Sequence, residues 1–379
     1  MKVIVWTVAA GLAIVILILF LIHRRFQREI RQASPDAVLQ FIEENAADGR
    51  AALSVRWNGE RLADVNETLR MPLASTVKIM AAVEYARQAA DGQIDPNQKV
   101  PLETLQSFYV PRTDGGAHTM WLRSLQPAFT GNSVPLSEVA KGMITYSSNA
   151  NTDYLLHLLG LENVNRIPAL FGLEHHEPIY PLVSTLFVPV KLMKEQKLGK
   201  KETMQAVKQM ELAEYRQRSI AIHEKWLEDP PTRREQKQLY RLMNVPNQKI
   251  WSDRLTRSTT SEYASVMEKL NSRTFLPGQV HAFLDPVMEG IMKDPANQEW
   301  LLHAGRKGGS TAFVLTEAMY AAKKNGGLLE LAFFTDGLTL LEHAKLSGSL
   351  NAFELSLLRD EAFRRKTKEV CQQWDKPDS

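Results

Sequence analysis

The chain has 379 residues, 44% of them hydrophobic and 23% charged, values of a folded protein that exclude wholesale disorder and a collagen-like repeat. Its single cysteine, Cys371, excludes an intrachain disulfide framework and a cysteine-rich zinc or iron–sulfur site. The net charge of +3 resides at the N-terminus: the charged residues up to Arg31 contribute +4, so the remainder is near neutral at about −1, which argues against a nucleic-acid-binding face.

Residues 3–22, VIVWTVAAGLAIVILILFLI, run without a charge. That is long enough to cross a hydrocarbon core of about 30 Å as a helix. A cleaved signal peptide has a shorter apolar core and small residues at its cleavage site. Here the run ends in Phe20-Leu21-Ile22 before His23-Arg24-Arg25, so residues 1–31 are expected to be an uncleaved single-pass anchor with a basic flank. Arg24, Arg25, Arg28 and Arg31 follow the span and only Lys2 precedes it. By the positive-inside rule, that asymmetry would leave the body in the cytoplasm.

Residues 34–49 open on Ser34-Pro35 and space Ala37, Leu39, Ile42 and Ala46 helically, so 32–44 is expected to be a linker carrying a short helix. Leu53, Val55 and Trp57 then alternate ahead of Asn58-Gly59, which predicts a hairpin. Residues 75–90, STVKIMAAVEYARQAA, predict a helix stopped by Asp91-Gly92. Two more helices are predicted over 136–145 and 151–159, joined by a turn at Ser147-Ser148-Asn149. From about 184 to 257 both charge signs are dense and Pro230-Pro231 interrupts them; this reads as an inserted, solvated helical hairpin, or as a lid or docking arm over a nearby cleft. Residues 311–322 and 328–336 predict strands joined by Lys324-Asn325-Gly326-Gly327, and 351–371 a closing helix. Strands at both ends of the chain can pair only with each other. The expected fold is therefore α+β, one antiparallel sheet flanked by helices plus an all-helical middle, in a domain over 45–371 with a tail at 372–379.

Three groups of residues carry chemistry. In Ser75-Thr76-Val77-Lys78, positions i and i+3 share a helix face, which makes the hydroxyl and the amine neighbours. A serine hydroxyl needs a base in reach, and a lysine serves as one when burial or nearby cations lower its pKa. A helix start also offers free backbone N–H groups to an oxyanion. A Ser-x-x-Lys also arises about once by chance in a chain of this size; its place in the first turn of a helix, after a hairpin, sets this one apart. In Tyr146-Ser147-Ser148-Asn149, Ser147 suits a proton relay and Asn149 a partner for substrate or Lys78; the alternative is an ordinary N-cap. In Arg306-Lys307-Gly308-Gly309-Ser310-Thr311, the glycines suit close backbone approach, Lys307 a carboxylate or a raised local potential, and the Ser310 N–H an oxyanion; the alternative is a plain glycine turn.

Ser-x-x-Lys, Ser-x-Asn and Lys-Gly-Gly in this order resemble the pattern of class A β-lactamases and penicillin-binding proteins, over roughly residues 45–370. Thr259-Thr260-Ser261-Glu262 is similar to the segment ahead of the third motif. The resemblance implies a β-lactamase/transpeptidase-like fold with Ser75 as acylated nucleophile and Lys78, Ser147 and Lys307 as its catalytic companions. It places Asn149, Gly309, Ser310 and Thr311 against the substrate, makes the backbone amides of Ser75 and Ser310 the oxyanion hole, and implies no cofactor or metal.

Three departures stand out. Ser148 replaces the usual aspartate, and Gly308 replaces a threonine or serine, so one hydroxyl for a substrate carboxylate is missing, with Ser310 and Thr311 as its available substitutes. The family's deacylating glutamate lies in Glu-Pro-x-Leu-Asn; the nearest match, Glu177-Pro178-Ile179-Tyr180-Pro181, lacks the leucine and asparagine, and Glu177 also reads as a surface glutamate. His175-His176-Glu177 is not read as a metal site, since adjacent side chains diverge and no third ligand stands out.

The expected protein is a membrane-anchored serine hydrolase that forms an acyl-enzyme on an amide, lactam or ester, with a small molecule or cell-wall peptide as substrate. Such substrates lie outside the cytoplasm, so the catalytic domain is expected there, against the charge rule. The alternative is a non-catalytic membrane binding protein that uses the charged stretch to dock a partner.

Overall fold

In the computed structural model, which describes residues 34–125 and 131–374, Asn58 and Gly59 adopt φ of 54° and 79°. Positive φ at both central residues is what a two-residue type I′ hairpin requires, and it sets Trp57 opposite Glu60. The strands so joined, Ala51–Trp57 and Glu60–Val65, form one side of a five-stranded antiparallel sheet. The first pairs with Leu328–Thr335, setting Leu53 opposite Phe333; Leu315–Lys323 and the edge strand Leu301–Ser310 follow. The two ends of the chain thus share one sheet, as expected. The anchor expected over residues 3–22 and its basic flank lie outside the described residues. Among the described residues, no helix is long and apolar enough to cross a membrane.

Successive strand residues point to opposite faces, and the sheet is buried on both. Phe333 joins Leu53, Leu331 and Met319 under Val38, Ile42, Phe353 and Leu357. Phe334 joins Ala52, Ala332 and Tyr320 under Met80, Tyr263 and Met267. Helix Asp36–Asn45, in the segment expected as a linker or short helix, belongs to the first of these layers with six buried residues.

Several expected elements take a different form. The predicted helix 75–90 opens as a 3₁₀ turn, Ala74–Val77, before the α-helix Lys78–Ala90. The closing helix is two, Leu340–Arg359 and Glu361–Cys371. Asp360 is extended between them, and its carboxylate caps the second by accepting from the Ala362 and Phe363 N–H groups. The third motif lies in a strand of its own, Leu301–Ser310, before the Leu315–Lys323 strand and not at its start. Three glycines hide that strand in the sequence, each for a packing reason: a Cβ on Gly305 would lie 2.5 Å from the Tyr320 ring, one on Gly308 2.8 Å from the Glu317 carboxylate, and one on Gly309 2.6 Å from the Ser75 backbone nitrogen.

The charged stretch from 184 to 257 is not a solvated hairpin. It folds as a 3₁₀ turn and five α-helices, ending with Arg233–Leu242 and Val245–Ser252. Tyr180, Val188, Leu192, Val207 and Tyr215 form a small core of its own, while Trp226, Leu239 and Leu242 join the main one. Pro230-Pro231 breaks the run, and Thr232 restarts it with a Thr232/Glu235 capping box.

Candidate active site

Of residues 71–80, Ser75 alone is not buried. The residue before it, Ala74, has φ of 46°. A non-glycine residue there stores strain that the surroundings must hold. The restraint is visible: the Thr316 hydroxyl donates to the Leu73 carbonyl (2.9 Å) and lies 2.7 Å from the Thr76 hydroxyl, tying the turn to the sheet. Gly309 allows the edge strand to reach the Ser75 amide. Ser75 and Ser310 both line the cleft that results, of about 550 Å³.

Lys78 begins the α-helix one turn on, 1% exposed. Its amine donates to the Ser147 carbonyl (2.7 Å), the Ser147 hydroxyl (3.2 Å) and Asn149 Oδ1 (2.8 Å). All three contacts lead to the second motif rather than to the Ser75 hydroxyl. Lys307 approaches from the edge strand, its Nζ 3.1 Å from the same Ser147 hydroxyl and bonded to the Gly308 carbonyl. One hydroxyl thus stands between two amines, and Ser147 holds φ of 65° to place it there. Burial, and then the Lys307 charge, push Lys78 well below the usual lysine range. Burial also pushes Lys307 down to about 8.

Both readings of the second motif are realised, on different residues. Ser148 is the N-cap: its hydroxyl accepts from the Asn151 N–H and starts helix Asn149–Leu159. Ser147 and Asn149 on either side reach Lys78. His118, buried between Tyr109 and Trp121, sets Nδ1 2.9 Å from the Ser148 hydroxyl. Burial pushes its pKa down to about 4, so the ring is neutral.

The third motif keeps its lysine and backbone but not its hydroxyls. The Ser310 side chain pairs with His343 Nε2 (2.8 Å) and that of Thr311 with Ser252 (3.0 Å), so neither is free to replace the hydroxyl missing at Gly308. That space is taken by Glu317, which stands opposite Gly308 and accepts from Arg306 (2.7 Å). Arg306 also donates to buried Glu354 (2.8 Å), whose pKa burial pushes up.

Glu177 is neither in the cleft nor a plain surface residue. Its carboxylate accepts from Arg216 (2.6 Å) and from the Arg257 N–H, clamping the loop to helix Leu212–His223. Sequence reasoning passed over Asp153, Thr316, Glu317 and Trp251. Asp153, fully buried, accepts from the Leu182 and Val183 N–H groups and so holds the far wall of the cleft; burial pushes its pKa up to about 6. Its one sequence signal is an acid inside a predicted helix, one turn after Asn149.

A family model described as the beta-lactamase enzyme family matches residues 36–333, most of the chain. The chain belongs to the beta-lactamase enzyme family. Within it the protein is a serine hydrolase, at a long distance from the solved examples. A beta-lactamase from Sphaerobacter thermophilus is 16% identical with a TM-score of 0.51, the match covering 84% of this chain and 97% of that one. A class A beta-lactamase from Bacteroides cellulosilyticus is 15% identical with a TM-score of 0.49, over 90% and 99%. A PBP-A variant solved as an acyl-enzyme with penicillin G is 17% identical with a TM-score of 0.47, over 84% and 96%. At these identities the likeness is one of fold. No curated protein matches the chain in sequence.

Proposed function

We propose that the protein is a membrane-anchored hydrolase that acylates Ser75 with the acyl half of an amide, lactam or ester. The observation that carries this reading is the Ser147 hydroxyl held between the Lys78 and Lys307 amines, in the cleft that Ser75 lines. Lys78, whose pKa burial and the Lys307 charge push well below the usual lysine range, takes the Ser75 proton, directly or through Ser147. The Ser75 oxygen bonds to the carbonyl carbon, and the Ser75 and Ser310 amides hold the oxyanion. The intermediate collapses as the bond to the leaving nitrogen or oxygen breaks, and Ser147 passes that group its proton, replaced from Lys78. Asn149 holds Lys78 on course, and the edge of Gly309–Thr311 receives the substrate backbone. Water then releases the acyl group. Labelling of the full chain with a fluorophosphonate tests the reading. One adduct per chain, on Ser75, is expected; a protein that kept the fold only to bind would take none.

Lys307 supports this scheme through its charge. Because that charge helps to hold the Lys78 pKa down, Lys307→Gln should let Lys78 regain its proton at higher pH. The acidic limb of the labelling rate against pH should therefore move upward. A limb that stays in place while the rate falls would confine Lys307 to substrate binding.

The anchor supplied by residues 3–22 places this domain beside a membrane, and we assign it to the outer side, where cell-wall peptides and β-lactams occur. This assignment sets Arg24, Arg25, Arg28 and Arg31 on the outer side, against the positive-inside rule. A C-terminal reporter active only outside the cytoplasm should be active; a cytoplasmic signal would remove both substrate classes.

A further inference from the structure

A second chamber, of about 350 Å³, adjoins the cleft at Gly308. The end of helix Leu136–Thr145, the 3₁₀ turn Gly290–Lys293 and the edge strand enclose it. Gly308 and Glu317 line both spaces, so the two meet at a residue without a side chain and at a carboxylate. Lys307, whose amine reaches the Ser147 hydroxyl, lines the chamber as well. Ser147 is the group that protonates the leaving atom, which puts the chamber on the leaving-group side of Ser75.

The carboxylates at this chamber are only half satisfied. Arg306 donates to Glu317 Oε2 (2.7 Å) and to Glu354 Oε2 (2.8 Å), one guanidinium between two carboxylates. The second oxygen of each, Glu317 Oε1 and Glu354 Oε1, is buried with no hydrogen-bond partner among the described residues. Of the two, Glu317 lines the chamber, and it is 2% exposed. A buried carboxylate oxygen is destabilising until a donor reaches it. The Lys307 amine does not supply one, since it bonds to the Ser147 hydroxyl and the Gly308 carbonyl. Ile144, Met288 and Ile291 elsewhere in the lining have no side-chain donor to offer.

We propose that this chamber receives the leaving group of the substrate, and that Glu317 selects a leaving group carrying an ammonium. The inference rests on Ser75 as the nucleophile. The carbonyl carbon bonds to the Ser75 oxygen, the bond to the leaving oxygen or nitrogen breaks, and that atom takes its proton from Ser147. The ammonium at the far end of the departing group donates to Glu317 Oε1 beyond Gly308. An anionic leaving group meets the same carboxylate and acylates Ser75 more slowly.

The test uses the full chain and three aryl acetates whose phenol carries a para aminomethyl, ethyl or carboxymethyl group. All three leave the same acetyl group on Ser75, so only the charge of the leaving group differs. Mass spectrometry follows the adduct, and each rate constant is divided by that ester's rate of alkaline hydrolysis. The cationic ester should exceed the neutral one on the order of tenfold, the effect of one hydrogen bond to a charged group, with the anionic ester slowest. Glu317→Gln should bring the cationic-to-neutral ratio toward one. Ile291→Lys, which places a second ammonium in the chamber from the Gly290–Lys293 turn, should do the same with Glu317 intact, and it decides the matter if a thermal melt shows Glu317→Gln unfolded. Fluorophosphonate labelling is run on all three proteins. If Ser75 takes the label but the wild-type ratio is near one, or the ratio survives in a folded Glu317→Gln, the subsite is refuted while the nucleophile stands. If Ser75 in the wild-type chain takes no label, the reading beneath the subsite fails as well.

Discussion

Ser75→Ala should remove covalent labelling altogether and leave the protein folded. Taking the nucleophile from a serine hydrolase costs on the order of 10⁶-fold in turnover, so labelling by a fluorophosphonate or a fluorescent penicillin should fall below detection. Stability should hold because the Thr316 hydroxyl binds the Leu73 carbonyl and the Thr76 hydroxyl, and neither contact uses the Ser75 side chain. Ser75 is also the partly exposed member of its segment, and substitutions at such positions change stability by about 0.5 kcal/mol or less. Intact-protein mass spectrometry and a thermal melt on the same sample separate the two effects. An alanine variant that still forms the adduct at the wild-type rate would move the nucleophile elsewhere and undo the mechanism.

The motifs were legible in the sequence because each is local. Ser75 and Lys78 sit one turn apart, and Ser147, Ser148 and Asn149 share one turn of chain; the spacing alone proposes the neighbours. What joins the three groups is long-range, and only the fold supplies it: the Ser147 hydroxyl meets Lys307 across 160 residues. The hairpin and the helix 136–145 could be read from turn chemistry and periodicity. The Leu301–Ser310 strand could not, because its glycines answer to Tyr320, Glu317 and the Ser75 backbone, contacts with no trace in local propensity. The charged stretch misled for a related reason. Its dense surface charge described the outer face of the helices and concealed Tyr215, Val207 and Trp251 on the inner one. Gly308 is similar: read alone it is a lost hydroxyl, whereas the sheet register puts the Glu317 carboxylate in that space.

An acyl group on Ser75 should persist, and hydrolysis of common penicillins should be slow. Deacylation needs a base that aims a water at the ester carbonyl. The best sequence match for that base, Glu177, gives its carboxylate to Arg216 and to the Arg257 N–H and does not line the cleft. The two carboxylates that do line it are also committed. Asp114 accepts from the Gly116 and His118 N–H groups, and Glu317 pairs with Arg306. Glu177→Gln should therefore change the rate of adduct loss little, while removing a charged partner from a mostly buried Arg216 should cost ~1–2 kcal/mol of stability. The two readouts point in opposite directions for a base and for a clamp. Mass spectrometry following loss of the penicillin adduct, beside thermal melts of both proteins, measures them together. Rapid steady-state hydrolysis that Glu177→Gln cuts by roughly the 10²–10⁴-fold typical of a lost general base would refute the prediction and make the protein a working β-lactamase. A long-lived adduct with a lowered melting point would fix Glu177 as the clamp between its loop and helix Leu212–His223, and would leave slow release as a property of the cleft itself.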